Sequence, residues 1–510
     1  MNKLNNNTHS PSTRFIYWGV LLLTFLIAYI YTFDDKLAML GDNASYYILG
    51  KSLYQGDGYV NISSINRAPN NHYPPGYPAI ISVVRWFAEG IVPVKILNGA
   101  FLLLGIIFLF EFILRTTTDI VLAFVISFLT LINANLLYYG SVMMSEVPFM
   151  FLSLLSFWAF SKTDENKLTI RDPFLIVSIL SMLAAYYVRT LGVALLAGYV
   201  LHFLLKKQWK HLAVYFGSFV LGALPWFIRG QSLGGGSYAK QLTMINPYQP
   251  ALGQAGFGDF VDRFFNNLSR YITYEIPTAL FPVKKIDYHA TAEVGDWLLG
   301  LLILALIGYG LFKLPRYKWL IIGYILGTLG ILMLWPDAWI GVRFIVPLIP
   351  FLGLGAYHAV YQMLSQLRKL NIVKKQIPAF VLLIMALFYI SPMMDKHEKA
   401  TEPLVPAWKN YFEVATWAKN NLKDDVLISC GIPSSFYLYA DTYTVRFKFS
   451  EDPKELIADL EKRKVDYVVI DQFYGNTFRY LIPAVRKYPH RFEQVYHLKN
   501  PDTYLLKFKR

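Results

Sequence analysis

Long runs of uncharged, apolar residues recur along most of this sequence. Each run is about as long as a helix must be to cross a bilayer, some only if the helix is tilted. Charged residues make up 16% of the chain, against about 25% in an ordinary soluble domain. We therefore expect a polytopic α-helical membrane protein with about 11 transmembrane helices, at residues 15–32, 92–114, 119–138, 147–161, 173–188, 190–205, 211–228, 297–312, 318–335, 344–363 and 377–392.

Basic residues predict the orientation of these helices. If the N-terminus is cytoplasmic, the inner loops contain basic clusters such as Lys206, Lys207 and Lys210, whereas the opposite short loop 137–148 has no Lys or Arg. Cytoplasmic loops carry such an excess of basic residues. We therefore predict a multi-pass protein of the cell inner (cytoplasmic) membrane, with a cytoplasmic N-terminus. Because these loops hold much of the net charge of +14, we expect no nucleic-acid partner.

Three longer segments then fall on the outer side. Residues 33–91 and 229–296 contain aromatic residues at helical spacing, which is typical of helices that lie in a membrane surface. Residues 393–510 alternate helix-like and strand-like stretches, and about 115 residues are enough for a small α/β domain. We therefore predict a transmembrane domain at 1–392 and an extracytoplasmic soluble α/β domain at 393–510. The predicted helices of that domain are 407–422, 452–463 and 476–487, and its predicted strands are 425–430, 465–470, 492–498 and 503–508.

Asp42 lies in a Gly-Asp-Asn turn soon after the first apolar run. Two interpretations fit this position. An aspartate at the start of a helix caps it, which contributes about 1 kcal/mol. A carboxylate at the headgroup level also accepts a proton from a hydroxyl nucleophile, as a general base does. Tyr46 and Lys51 follow in the same loop and are candidates for substrate binding.

A proline-rich strip, HYPPGYP at residues 72–78, precedes the second apolar run. Its prolines and glycine fix a rigid, non-helical shape. The strip is either a stiff turn that leads into the next helix or a wall on which His72 and Tyr73 line a sugar or phosphate site.

Three further charged residues stand at the outer ends of predicted helices. Glu146 either faces water or faces the interior, where it pairs with a cation, a metal or a hydroxyl group, and Arg189 is the candidate cation. Arg343 is costly to bury in lipid without a partner. It either reaches up to headgroup phosphates or holds a substrate phosphate through paired hydrogen bonds.

The sequence excludes disulfide bonds and cysteine-based metal clusters, and it lacks the common catalytic motifs. Cys430 is the only cysteine, so neither an intrachain disulfide nor a cysteine-based metal cluster can form. No phosphate-binding loop or hydrolase motif is present. Asp42, Glu146 and His72 are residue types that bind divalent metals, but their spacing follows no known ligand pattern, so metal dependence is open.

Taken together, these features resemble the membrane-embedded GT-C glycosyltransferases that use polyprenyl-phosphate sugars. The resemblance rests on the acid after the first span, the HYPPGYP strip, the acid Glu146, and the R-F-x-x-P-x-x-P pattern that begins at Arg343. In layout it covers essentially the whole chain. The sequence is similar above all to the bacterial relatives of the protein O-mannosyltransferases and of the lipid A aminoarabinose transferase.

The resemblance implies an inverting transferase of the hexosyl or pentosyl class. Its donor substrate is a polyprenyl-phosphate-linked sugar, and its acceptor is a hydroxyl group of a lipid, polysaccharide or protein at the outer face of the membrane. By position, Asp42 matches the general base, Glu146 the second outer acid, and Arg343 the arginine at the lipid phosphate. His72 and Tyr73 match the loop that closes over the site. Several relatives have Asp-Glu where this chain has Asp42-Asn43, which weakens the case for a metal held there by paired carboxylates.

Three other functions fit a chain of this kind. A glycan polymerase or ligase uses a polyprenyl-diphosphate oligosaccharide, a transporter or flippase moves a solute or lipid, and a surface receptor binds through its C-terminal domain. The charged and proline-rich stretches gather at the outer ends of the predicted helices, and no paired, broken spans mark a midplane binding site. This distribution favours an enzyme.

Overall fold

Helices account for most of this protein. The computed structural model describes residues 11–38, 41–164, 167–249, 252–282, 287–288, 291–369 and 377–510. The α-helices, in chain order, are α1 (Pro11–Thr32), α2 (Gly41–Tyr54), α3 (Gly76–Val84), α4 (Val92–Thr117), α5 (Ile120–Leu131), α6 (Ala134–Gly140), α7 (Glu146–Phe160), α8 (Pro173–Val188), α9 (Val193–Lys206), α10 (Trp209–Ser232), α11 (Ser237–Leu242), α12 (Phe257–Arg270), α13 (Ile276–Leu280), α14 (Val294–Phe312), α15 (Lys318–Met333), α16 (Ile349–Lys369), α17 (Ile377–Ile384), α18 (Ile390–Thr401), α19 (Pro406–Asn421), α20 (Pro433–Ala440), α21 (Pro453–Lys462) and α22 (Ile482–Lys487). Short 3-10 or π-helical segments are Thr190–Gly192, Tyr271–Glu275, Val342–Leu348, Met385–Tyr389, Thr477–Leu481 and Pro489–Arg491.

The apolar runs of the sequence all fall on helical segments. Among the described residues, 6 helices are long and apolar enough to cross a membrane, and a bent pair makes up to 7. Shorter apolar helices account for the remaining runs: α7, α8, the stretch Thr190–Lys206 and α15. The prediction of a polytopic helical membrane protein is therefore confirmed, while the number of 11 crossings stays a prediction. The long helical stretches are Ser12–Thr32, Val92–Thr117, Trp209–Ser232, Val294–Phe312, Val342–Gln366 and Ala379–Thr401.

The run predicted at 119–138 is not one straight helix. It forms α5 and α6, which meet at an angle of 64°. Asn133 stands at the break, where its side-chain oxygen accepts hydrogen bonds from the backbone N–H groups of Asn135 and Leu136. Its side-chain amide donates to the backbone oxygen of Ala279 at 2.8 Å. A capping asparagine thus starts a new helix inside an apolar run.

The chain divides into two compact units. The first comprises Met1–Asp35, Asn71–Tyr77 and Ile91–Ala400, and it contains the long apolar helices. Within it, Glu146 begins α7 and Arg189 follows the end of α8, while Arg343 lies in the Val342–Leu348 segment. These three charged residues therefore lie at or near the ends of helical segments.

The second unit comprises Lys36–Asn70, Pro78–Gly90 and Thr401–Arg510. Its five-stranded sheet has the order β2-β1-β3-β5-β4. Strand β1 pairs in parallel with β2 and β3, whereas β5 pairs antiparallel with β3 and β4. This sheet confirms the predicted α/β domain at the C-terminal end of the chain. The strands are β1 (Leu427–Ser429), β2 (Tyr443–Val445), β3 (Tyr467–Ile470), β4 (Phe492–Leu498) and β5 (Thr503–Phe508).

Most of residues 33–91 belong to this second unit. The backbone N–H of Thr444, on β2, donates to the backbone oxygen of Ser63 at 2.8 Å. In α2, Tyr46, Tyr47 and Ile48 are buried, so this helix is largely covered by protein. The sequence placed these residues in a transmembrane domain ending at 392, whereas the structure groups them with the C-terminal strands.

Candidate active site

The centre of the candidate site is a buried carboxylate shared by two arginines. Glu146 is fully buried at the first position of α7. The Nη1 atom of Arg189 donates to Glu146 Oε1 at 2.6 Å and to Ser145 Oγ at 3.0 Å. The Nε atom of Arg343 lies 3.7 Å from the same Glu146 oxygen. Because two guanidinium groups face one carboxylate, these three residues carry a net positive charge that favours an anion.

Local backbone geometry explains how the arginines reach this carboxylate. Arg189 directly follows α8, and its backbone N–H donates a hydrogen bond to the backbone oxygen of Ala185 in that helix. The backbone of Arg189 itself is extended, so the chain turns away from the helix axis at this residue. Gly341 has a φ of 127°, which side-chain-bearing residues rarely adopt, and the 3-10 segment with Arg343 begins directly after it. Both arginines therefore project from the ends of regular segments.

Asn98 on α4 fixes the loop that precedes Glu146. This asparagine is fully buried, and its Nδ2 lies 2.6 Å from the backbone oxygen of Val142 and 3.0 Å from that of Met144. The same Nδ2 lies 2.9 Å from the hydroxyl of Tyr77, in the proline-rich strip. The sequence analysis missed Asn98, because an isolated asparagine in an apolar run gives no sign of its distant partners.

We expect Asn98→Ala to lower the free energy of unfolding by about 2 kcal/mol, because two buried carbonyl groups lose their donor. The loop before Glu146 also loses its hydrogen bonds to α4. Thermal unfolding of the purified protein in detergent measures the effect. Asn421→Ala is the matched control, because Asn421 is exposed and donates only to the backbone oxygen of Trp417. Equal effects of the two substitutions would contradict the role given to Asn98.

The proline-rich strip is held against the same region of the first unit. A Cβ atom on Gly76 would come within 2.6 Å of the Tyr187 backbone, so the strip packs closely on the end of α8. His72 and Tyr73 begin a series of ring contacts that leads to Arg343. The members are His72–Tyr73 (4.4 Å between centroids), His72–Tyr238 (4.5 Å), Tyr238–Trp339 (6.2 Å), Trp335–Trp339 (5.2 Å), Trp335–Phe344 (4.8 Å) and the Arg343 guanidinium over the Phe344 ring (4.8 Å).

Helix α12 fastens the loop that leads to Arg343. Asn267 is buried, and its Nδ2 lies 3.2, 3.0 and 2.9 Å from the backbone oxygens of Leu332, Met333 and Trp335. The opposite face of α12 exposes apolar side chains, among them Phe265, as the predicted membrane-surface helix requires. The sequence analysis missed the role of Asn267, because its partners lie some 65 residues further along the chain.

The other predicted site residues lie in the second unit. Asp42 is half-buried in the first turn of α2, while its neighbour Asn43 is fully buried. The side chain of Asn43 bonds to the backbone of Ala38 and of Ala44, so the local structure of the turn rests on Asn43. Lys51 forms an ion pair with Asp441 of the C-terminal segment, at 2.5 Å. Tyr46 is buried within α2.

The described residues do not form a metal centre of ordinary composition. No three His, Cys, Asp or Glu side chains come together anywhere in the part of the chain that the structure describes. Glu146, one of the suggested ligands, faces two guanidinium groups instead.

Comparison with known proteins identifies the fold. No family model matches the sequence, and no curated protein matches it. Among solved structures, the chain is similar to ArnT from Cupriavidus metallidurans bound to undecaprenyl phosphate, with 11% identity and a TM-score of 0.62 over 98% of each chain. The apo form of that ArnT matches at 12% identity with the same TM-score and coverage. An oligosaccharyltransferase from Archaeoglobus fulgidus, tethered with an acceptor peptide, matches at 11% identity and a TM-score of 0.56, over 96% of this chain and 74% of that one.

These likenesses show that the chain shares the fold of the ArnT and oligosaccharyltransferase structures. The resemblance stated from the sequence is confirmed at the level of the fold.

Proposed function

We propose that this protein is an inverting glycosyltransferase. It moves a sugar from a polyprenyl-phosphate donor to a hydroxyl acceptor at the outer face of the cytoplasmic membrane. The observation that carries this proposal is the buried Glu146 carboxylate with Arg189 and Arg343 around it. Its position at the ends of apolar helices suits a substrate whose charged group is attached to a membrane lipid.

The charge balance of this cluster favours a phosphate as its ligand. Glu146 faces both guanidinium groups and keeps them in place, and the three side chains together carry one net positive charge, which favours an anion. Arginine binds phosphate through parallel N–H donors, which gives it both strength and orientation. A solved structure with this fold, that of ArnT, holds undecaprenyl phosphate, which supports a lipid phosphate as the anion here.

The transfer itself is a single displacement. Asp42 takes the proton of the acceptor hydroxyl, and the hydroxyl oxygen forms a bond to the anomeric carbon. The bond from that carbon to the phosphate oxygen breaks, and polyprenyl phosphate leaves with the bonding electron pair. Arg343 and Arg189 stabilise the charge that develops on the phosphate. Attack opposite to the leaving group inverts the configuration of the sugar.

The other predicted residues have binding or supporting roles in this scheme. His72 and Tyr73 cover the sugar, and Tyr46 supports the helix that carries Asp42. Lys51 has a competing partner, because its ammonium group already pairs with Asp441. We therefore expect its contribution to substrate binding to be smaller than that of either arginine.

A transfer assay tests the proposal. Polyprenyl-monophosphate sugars are offered to the protein in liposomes with a membrane extract as acceptor. We expect Asp42→Asn to lower kcat by about 10²- to 10⁴-fold with KM little changed, because only proton transfer is lost. We expect Arg343→Lys to raise KM, because lysine cannot make the paired contact. Arg316→Lys, at an exposed loop residue, is the matched control.

Each outcome of this assay has one meaning. Full activity of a folded Asp42→Asn protein would remove the base and leave the transferase. Transfer only from polyprenyl-diphosphate oligosaccharides would identify the polymerase or ligase class instead. Solute or lipid flux across the same liposomes, measured in parallel and found without any transfer, would identify a transporter or flippase.

A further inference from the structure

Glu275 is a buried acid that the displacement does not use. It ends the π-helical segment Tyr271–Glu275, outside the helices long enough to span a membrane, and it is fully buried. The Nε atom of Arg270 lies 2.7 Å from its carboxylate. The backbone N–H of Gly341 also lies against this carboxylate, although neither group is aligned for a full hydrogen bond.

We propose that Glu275 is a positioning residue of the site. Its carboxyl group fixes Arg270 and the Gly341 turn, and so holds the segment that carries Arg343. The inference rests on the proposed function, because it assumes that Arg343 holds the donor phosphate.

Arg270 contacts the backbone of the loop that leads to Arg343. The guanidinium group of Arg270 reaches the backbone oxygens of Asp337 at 3.4 Å and of Trp339 at 3.3 Å. Both distances are long for hydrogen bonds, so their strength depends on how firmly the guanidinium is oriented. The Glu275 carboxylate faces the third nitrogen of the same group. Glu275 therefore acts on the loop before Arg343 through Arg270 and through Gly341.

The π-helical segment is itself firmly seated. A Cβ atom on Gly300, in α14, would come within 2.0 Å of the backbone oxygen of Ile272. Helix α14 therefore packs closely on the π-helical segment, and Glu275, at the end of that segment, is fully buried. A carboxyl group on such a backbone has little freedom to move away when its charge changes.

The charge of Glu275 changes near neutral pH. Burial raises the pKa of its carboxyl group from the usual 4.5 to about 7, although Arg270 acts in the opposite direction. The ionisable groups that face it, among the described residues, are Arg270, Tyr271 and Tyr288. Above this pKa the carboxylate attracts the Arg270 guanidinium, and below it the neutral acid attracts the guanidinium only weakly. We therefore expect the Arg343 segment to be held more firmly at high pH.

Global stability has the opposite dependence on pH. Between about pH 4.5 and about pH 7 the native state keeps a proton that the unfolded state has lost. The contribution of Glu275 to the free energy of unfolding therefore falls as the pH rises through this window. This opposite sign separates the local hold on the Arg343 segment from a general stabilisation of the fold.

Hydrogen exchange of the full-length protein in detergent measures the hold directly. We expect the amides of residues 335–345 to gain about tenfold protection between about pH 6 and about pH 8, after correction for intrinsic exchange rates. In Glu275→Gln, which keeps the shape and removes the charge, this gain disappears. Glu455→Gln is the control, because Glu455 pairs with Lys448 on the surface of the C-terminal unit. Protection that does not change with pH in the wild-type protein would overturn the proposal, even if Glu275→Gln failed to fold.

A binding measurement ties the effect to the site. A long-chain polyprenyl monophosphate is the probe, and its dissociation constant is measured for both proteins at the same pH values. The second pKa of a phosphate monoester is near about 6, so the probe titrates too, and only the difference between the proteins counts. We expect Glu275→Gln to bind about tenfold more weakly at the higher pH and equally at the lower. Equal binding throughout, with unchanged exchange, would overturn the positioning role and leave the function standing. The expected change in amide protection, without any binding of the probe, would confirm that Glu275 orders the loop but would refute the proposed function.

Discussion

Replacing Glu146 with alanine is expected to destabilise the protein by about 3–5 kcal/mol and to abolish transfer, because it leaves the two arginines without their shared anion. Arg189 and Arg343 are only 11% and 23% exposed, so water compensates only in part for the loss of the carboxylate. Their mutual repulsion is also expected to push them out of the positions in which we propose that they bind a phosphate. Thermal unfolding in detergent measures the first effect, and the transfer assay measures the second.

Glu413→Ala is the matched control for this substitution. Glu413 also pairs with a basic residue, Lys409, but both side chains are about half exposed. We expect a change within about 0.5 kcal/mol, since surface ion pairs contribute little. Glu146→Gln separates charge from shape, because glutamine fills the same space. A glutamine variant as stable and active as the wild-type protein would show that the negative charge is not needed.

Gly310→Ala is expected to destabilise the protein by about 3 kcal/mol, because it forces two helices apart. A Cβ atom at this position of α14 would lie 1.8 Å from the backbone oxygen of Gly355 and 2.8 Å from the backbone nitrogen of Ala359, both in α16. Backbone atoms cannot move aside as a flexible side chain does. Since α16 continues from the segment that carries Arg343, the displacement is also expected to weaken donor binding. The unfolding temperature and the KM for the donor measure the two effects.

Gly308→Ala is the control on the same helix. A Cβ atom on Gly308 meets nothing within 4 Å, so alanine fits there without any shift. Alanine favours a helix by up to about 1 kcal/mol relative to glycine, and we expect a neutral or slightly stabilising change. Equal losses at the two positions would contradict the close approach of α14 and α16.

The features that could be predicted from the sequence are those with local causes. Apolar runs identify helices because a membrane segment must be apolar along its length. The strands at 492–498 and 503–508 were predicted with their exact bounds, because their residues favour a half-buried sheet. The strand Tyr443–Val445 and the helix Pro433–Ala440 were missed, because a stretch so short has no clear periodicity. The bend at Asn133 has a local sign, a capping residue inside an apolar run, whereas the apolar run alone predicts one straight helix.

The site depended on contacts that no local pattern contains. The sequence suggested the pair of Glu146 and Arg189, because both stood at outer helix ends, and the structure places them in contact. Asn98 and Glu275 looked like ordinary polar residues beside apolar ones. Their roles come from burial and from partners far along the chain, which only the folded protein brings together.

Helix length has a consequence for the membrane around the site. Helices α7, α8 and α15 lead to the charged cluster and have 15, 16 and 16 residues. At about 1.5 Å per residue they are roughly 22–24 Å long. The hydrocarbon layer of a bilayer is about 30 Å thick, so these helices fall several ångströms short of it. We propose that the bilayer around this bundle is thinner as a result, and that a lipid phosphate therefore lies closer to the level of Arg189 and Arg343.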